Sequence, residues 1–269
     1  MLEPVPPATC ALLRQVSTAT LTTQLLARGL RNTFLHGLAA LNPGCTMMVG
    51  EAFTLRYIPA REDLDVLSVF DDYDHPQRRA VEAAPPDAVL VMDCRGRNRA
   101  ASLGHILGSR LLARGVAGVV TDGAVRDSPG FRGLQLPTFA AGAAATTNLA
   151  QHHAVDLQVP IGCAEVAVYP GDVMVGDGDG VVCIPRHLAT EVAEAAARQE
   201  HLEEYLLTRV QAGAPLRGTY PPDAATRSAY EQWAQEHPRR DGTTAPPTGR
   251  VRPPPHPRTP ESEGDLPCS

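Results

Sequence analysis

DAVLVMDCRGRNRAASLGHILGSRLLARGVAGVVTDGAVRD, residues 87–127, decides the fold. Its opening, Asp87 to Cys94, is a short apolar run of the kind that forms a strand buried on both faces. RGRNRAASLG follows as a polar, glycine-containing loop. From His105 to Arg114 the side chains of Ile106, Leu107, Leu111 and Leu112 recur at helical spacing, until Gly115 stops them. VAGVVTDGAVRD then returns as a second buried strand running into a turn. Strand, loop, helix, strand is a βαβ unit, so two parallel strands are expected side by side. Their crossover should be right-handed and their loops should gather at the strands' carboxyl ends. Ligand chemistry is expected on that edge.

Working outward, STATLTTQLLARG (residues 17–29) opens with hydroxyl residues able to cap a helix, then spaces Leu21, Leu25 and Leu26 helically before Gly29. CTMMVGEAFTLRYIP reads as one or two strands, and REDLDVLSVFDD as an acidic loop with a short helix. On the other side, LPTFAAG continues with a strand. VDLQVPIGCAEVAVYPGDVMVGDGDGVVCIP is a series of short strands cut by Pro and Gly turns. HLATEVAEAAARQEHLEEYLLTRVQAG (residues 187–213) is a long helix of strong helix formers ending in Gly. After Trp233 large apolar side chains nearly vanish, and such a composition cannot recover the entropy lost on ordering. The division expected is an N-terminal extension (1–14), one catalytic domain (15–236) and a Pro-rich disordered tail (237–269).

The chain carries a net charge of −6 with no basic stripe, which disfavours direct contact with nucleic acid. No segment suits a membrane span, and the six cysteines form no C-x-x-C pair, so a cytoplasmic, reducing setting is expected.

Two stretches could carry chemistry. In TDGAVRD, Arg126 and Asp127 stand side by side at a turn after a buried strand, where one can grip an anionic oxygen and the other hold a cation. The same spacing also describes a surface ion pair. In ASLGHILGSRL, small residues and Gly104 let the backbone approach a ligand where a helix begins, and free amides there bind carboxylates. A plain helix start capped by Ser102 fits those residues too. GDGDG (176–180) lacks the rest of a calcium loop and reads as a tight turn. His152 and His153 point to opposite faces of a strand and read as packing or solvated residues. The usual nucleotide and serine hydrolase motifs do not occur.

Taken in order, STATLTTQLLARG, GEAFTLRYIP, VLVMDCRG, ASLGHILGSRLLARGVAGVVTDGAVRD, LPTFAAG and YPGDVMVGDGDGVVCIP resemble the RraA-like family. That family includes 4-hydroxy-4-methyl-2-oxoglutarate aldolases and regulators of ribonuclease E activity. The resemblance implies an α/β fold, an αββα sandwich related to swivelling phosphohistidine-like domains with C-terminal helices, assembled as homotrimers or hexamers. It implies that Arg126 polarises the 2-oxo group and that Asp127 holds Mg²⁺ or Mn²⁺. The pyruvyl carboxylate would lie among Leu103, Gly104, His105 and Ile106.

The chemistry expected is lyase chemistry on a small 2-oxo acid: retro-aldol cleavage or oxaloacetate decarboxylation, through an enolate stabilised by a cation and a fixed donor. The sequence departs from the aldolases at two positions. His105 stands where they carry an aspartate, and could serve as the base, contact the metal or be a structural residue at the helix start, while Thr23 replaces a second acid. The alternatives are a non-catalytic, protein-binding regulator and a dehydratase of sugar-derived oxo acids. A methyltransferase reading finds no glycine-rich cofactor loop.

Overall fold

The computed structural model describes residues 3–239. The tail expected to be disordered lies almost wholly outside the described residues.

Chain order begins with helix α1 (Pro7–Leu13) and helix α2 (Thr18–Ala27). Ser17 Oγ caps α2 by accepting from Thr20 N at 3.1 Å, and Gly29, at φ +85°, ends it. A short strand β1 (Ala39–Ala40) and the long strand β2 (Met48–Pro59) follow. Next come helix α3 (Pro76–Ala83), strand β3 (Ala88–Asp93), strand β4 (Ala101–Leu103), helix α4 (His105–Ala113), strand β5 (Gly118–Val125), helix α5 (Ser128–Gly133) and strand β6 (Thr138–Ala143). The β-rich half supplies β7 (His152–Leu157), β8 (Ile161–Cys163), β9 (Val166–Val168), β10 (Val173–Gly176) and β11 (Val181–Ile184). Helices α6 (Ala189–Gln211) and α7 (Ala224–Glu236) close the described chain.

The βαβ reading holds. β3 and β5 are parallel neighbours, with Val89 opposite Gly118 and Met92 opposite Thr121. The pattern repeats on both sides, so β2, β3, β5 and β6 form a parallel run. All three connecting helices pack on one face of it, where Ala80 and Val81 of α3, Leu111 of α4 and Phe131 of α5 share a core with Phe53, Leu90, Met92 and Val125. Strands β10 and β11 extend the sheet antiparallel from β2.

β2 spans both halves of the sheet because its outward side chains serve different helix layers. Phe53, Leu55 and Tyr57 face the α3/α4/α5 side. Val49 instead joins Val173, Val175, Val182 and Ile184 beneath α1, α2 and α6. The inward side chains of both halves, with Met48 and Val91 at one end and Met174 and Cys183 at the other, meet in a third core lined also by the β8–β9 ribbon. The two β layers of the expected sandwich are therefore two arms of one curled nine-stranded sheet, with helices outside each arm.

One local reading is corrected, and one helix is found where no element was expected. Ala101–Leu103, read as loop, is strand β4, which pairs parallel with the far end of β5. A three-residue strand shows no periodicity, so only its partner reveals it. Helix α3 lies in a stretch with no apolar pattern and is signalled only by Pro76 at its first turn. α1, which precedes the expected domain, shares the core beneath α6 through Leu13. Among the described residues no helix is long and apolar enough to cross a membrane, and Cys10, Cys45, Cys94, Cys163 and Cys183 are free thiols.

Candidate functional site

Pairing of β4 with β5 builds the site. It sets Leu103 opposite Val125, and Arg126 N donates to Leu103 O at 3.0 Å. The residue after each strand is thereby held against its neighbour. Gly104 begins α4, and a side chain there would lie 3.1 Å from Arg126 Cγ and 3.2 Å from Asp127 Oδ2. Glycine lets the arginine and aspartate lie directly over the helix start. Asp127 takes the left-handed conformation (φ 60°, ψ 39°), which short polar side chains tolerate, and its carbonyl accepts from Gly130 N at 2.9 Å to start α5. That turn sends its carboxylate back over α4, where Oδ2 sits 3.3 Å from His105 N and 3.6 Å from Arg126 Nε. Both side chains are about half exposed, 45% and 52%, so the pair is solvated and adds little to stability. The first amide of α4, His105 N, thus donates to Asp127, and Gly104, having no side chain, caps none of the amides that follow.

These groups line an open cleft of about 250 Å³ together with Ile106 and Leu107 of α4, Phe70, Gln77, Arg78, Ala101, Thr147 and Asn148. Gln77 is held by donating to Ser102 O at 2.6 Å and Tyr57 Oη at 3.3 Å. Arg78 sits with its guanidinium carbon 5.2 Å over the Phe70 ring. This volume lies just below the roughly 300–1,000 Å³ typical of ligand pockets, so it suits a small metabolite.

Of the residues singled out in the sequence, Leu103, Gly104, Ile106, Arg126 and Asp127 line this cleft together. His105 does not: its ring packs on Gly130, where a Cβ would stand 2.6 Å from His105 Cγ, and lies edge-on to Phe131 at 6.2 Å. Its contribution to the site is its backbone amide. Ser102 is no cap, since its hydroxyl bonds Ala124 O at 3.0 Å and Thr121 Oγ1 at 3.1 Å inside the β4–β5 seam. Thr23 donates to Ala19 O within α2 and lines a separate concavity with Thr22 and Phe34. The GDGDG turn joins β10 to β11, and Asp177 in it accepts from Thr18 N at 2.7 Å and Thr18 Oγ1 at 2.8 Å at the start of α2. Phe70, Gln77, Arg78 and Asn148 carry no motif, and sequence reading missed them.

Behind the cleft, buried Asp122 accepts from Cys94 N at 2.5 Å, Gly96 N at 2.8 Å and Ala164 N at 3.3 Å. Burial raises its pKa against those hydrogen bonds, and the same burial pushes the Cys94 thiol up to about 12. These groups organise the β3–β4 connection. His152 is buried on β7 with Nε2 3.3 Å from Ala100 O and Nδ1 3.5 Å from Arg95 Nη2. A carbonyl on one nitrogen and a guanidinium on the other fix a neutral imidazole, and burial lowers its pKa.

Among the described residues no three His, Cys, Asp or Glu side chains gather as a metal cage. Among the described residues Asp127 is the one carboxylate lining the cleft. A single oxygen donor fits a cation that keeps most of its waters, as Mg²⁺ does.

A family model described as RraA-like, Aldolase/RraA, matches residues 18–183. RraAS2 of Streptomyces coelicolor, described as an unusual member of the RNase ES inhibitor RraA protein family, is 30% identical with a TM-score of 0.67, over 76% of this chain and 98% of that one. An uncharacterized Pseudomonas syringae protein is 28% identical with a TM-score of 0.68, over 81% and 100%. A Halalkalibacterium halodurans protein, provisionally named a 4-hydroxy-4-methyl-2-oxoglutarate aldolase, is 34% identical over 128 residues, 47% of this chain and 60% of the relative's length. The family match takes in β4, Gly104, Arg126 and Asp127, the elements that build the cleft, and the chain belongs to the RraA-like family.

Proposed function

We propose that the cleft binds a small 2-oxo acid and, with Mg²⁺ or Mn²⁺ on Asp127, cleaves or decarboxylates it through a pyruvate enolate. The observation that carries this reading is the convergence of a guanidinium, a carboxylate and a helix N-terminus at Gly104, with the carboxylate on the helix's first amide. The α4 amides and its dipole suit the substrate carboxylate. Arg126, aimed across Gly104, suits the 2-oxo oxygen, where negative charge builds as the bond breaks. His105 enters through its amide, which orients Asp127. The cation would supply Lewis-acid stabilisation of the same developing charge. The relatives named as aldolases support this reaction class, although the matched stretch is only part of their length.

The test is pyruvate release from oxaloacetate and from a 4-hydroxy-2-oxo acid with Mg²⁺ present. Arg126→Ala is expected to lower kcat by roughly 10²–10³-fold, as loss of one oxyanion donor does elsewhere. No turnover by the unmodified protein, or full activity in the variant, overturns the reading. The solitary carboxylate favours one other reading, a protein-binding regulator. That reading predicts no Mg²⁺ binding by calorimetry and no change in it on Asp127→Asn.

A further inference from the structure

We infer that Gln77 is a specificity-determining residue of this cleft, whose side-chain oxygen accepts a hydrogen bond from the 4-hydroxyl of a 4-hydroxy-2-oxo acid. The inference rests on the reading of Gly104, Arg126 and Asp127 as the 2-oxo acid end of the site.

Gln77 stands in the first turn of α3 and is only 3% exposed, yet it lines the cleft. The groups behind it fix the orientation of its amide. Tyr57 is buried, and burial raises its pKa, so the phenol keeps its proton and donates it to Ser102 O at 3.1 Å. The phenol oxygen is left as an acceptor. Gln77 Nε2 donates to it at 3.3 Å and to Ser102 O at 2.6 Å. Both amide hydrogens are thereby used, and a flipped amide would set its carbonyl against the Ser102 carbonyl.

The amide oxygen remains. Among the described residues nothing donates to Gln77 Oε1, and the polar atoms that are both unpaired and sealed from solvent belong to His75, Arg95, Arg114, Asn148 and Arg186 instead. Gln77 Oε1 is therefore an open acceptor, and the open space that Gln77 meets is the cleft. It differs from its neighbours there. Arg78 and Arg126 can only donate, and Asp127 is charged and already accepts from His105 N. A neutral amide oxygen is too weak a base to take a proton, so Gln77 orients a substrate hydroxyl and leaves its O–H bond intact.

The spacing suits one ligand. Ser102, whose carbonyl holds Gln77, lies two residues before Gly104 along β4, or about 7 Å. The carboxyl carbon and the 4-oxygen of a 2-oxo acid are four bonds apart and span about 5 Å. With a hydrogen bond at either end, a single molecule reaches both the start of α4 and Gln77.

The experiment measures pyruvate release from 4-hydroxy-2-oxopentanoate with Mg²⁺, and its inhibition by 2-oxopentanoate, the same acid without the hydroxyl. Gln77→Met is expected to lower kcat/KM by about tenfold, the scale of one hydrogen bond, and to leave the inhibition constant within about twofold. Tyr57→Phe releases one amide hydrogen and keeps Ser102 O; it should lower kcat/KM by about threefold at an unchanged inhibition constant, and it carries the test should Gln77→Met not fold. Equal weakening of substrate and inhibitor is the signature of a merely structural role and overturns the inference. Unchanged kcat/KM in the variants also overturns it. If the unmodified protein releases pyruvate from oxaloacetate but not from the hydroxy acid, the role of Gln77 alone falls. Release from neither overturns the underlying reading as well.

Discussion

Substitution of Gly104 by alanine separates the proposed chemistry from stability. At φ −111° the position is open to any residue, so the backbone itself is not strained. The added methyl would stand 3.1 Å from Arg126 Cγ, 3.2 Å from Asp127 Oδ2 and 3.3 Å from Arg126 Cδ. Ordinary carbon contacts lie near 3.5–4.0 Å, so the two side chains must withdraw by roughly 0.4 Å. Both are half exposed and can do so at small energetic cost. Alanine is also a poorer N-cap than glycine, and the two effects together should cost about 1 kcal/mol, or ~2–4 °C in Tm for a domain of this size. A misplacement of 1 Å costs about 10²-fold in rate, so 0.4 Å on a logarithmic scale costs roughly five- to tenfold in kcat/KM. The assay is pyruvate release with Mg²⁺ at 25 °C, where the variant remains folded, alongside scanning calorimetry. Gly162→Ala is the control, because a methyl there meets nothing within 4 Å, and neither activity nor Tm should move. If Gly104→Ala retains full kcat/KM while shifting Tm as expected, the Arg126–Asp127 placement has no catalytic meaning.

Two further outcomes follow from the fold. Gly118→Ala drives a methyl into Met48, with Cγ at 2.7 Å beside the closer Sδ and with Pro137 O at 3.0 Å, so overpacking should destabilise by roughly 1–3 kcal/mol, measured as a lower urea midpoint at unchanged m. Burial lowers the pKa of His152, so the unfolded chain binds that proton at a higher pH than the folded one. The stability held by its neutral form is complete above about pH 6.5 and declines as pH falls below it. Replacing His152 with Gln should flatten Tm between pH 7.5 and 5.5, and an undiminished slope would refute this assignment.

The legible parts of this protein are those set by local pattern. The apolar run 88–93, the helical spacing after His105 and the return strand ending at Val125 imply a βαβ unit without knowledge of any other residue, and β3, α4 and β5 form it. Arg126, Asp127 and Gly104 are legible because each directly adjoins one of these elements, where chain punctuation marks the sheet edge. Other features depend on elements distant in sequence. The curl of the sheet follows from Met48 and Val91 packing with Met174 and Cys183, and no single strand's alternation reveals which strands will face each other. β4 exists because β5 offers it hydrogen bonds, and His105 turns from the cleft because Gly130 leaves room for its ring. Arg78 and Phe70 belong to a segment without periodicity and reach the cleft only when α3 packs on β2 and α4. The sequence by itself determined the longer patterned strands and helices and where the Arg-Asp turn falls, because apolar spacing and turn residues act within a few positions of themselves. Only the tertiary structure decided what stands opposite that turn, because a cleft is made by convergence of separate elements and no local pattern encodes their meeting.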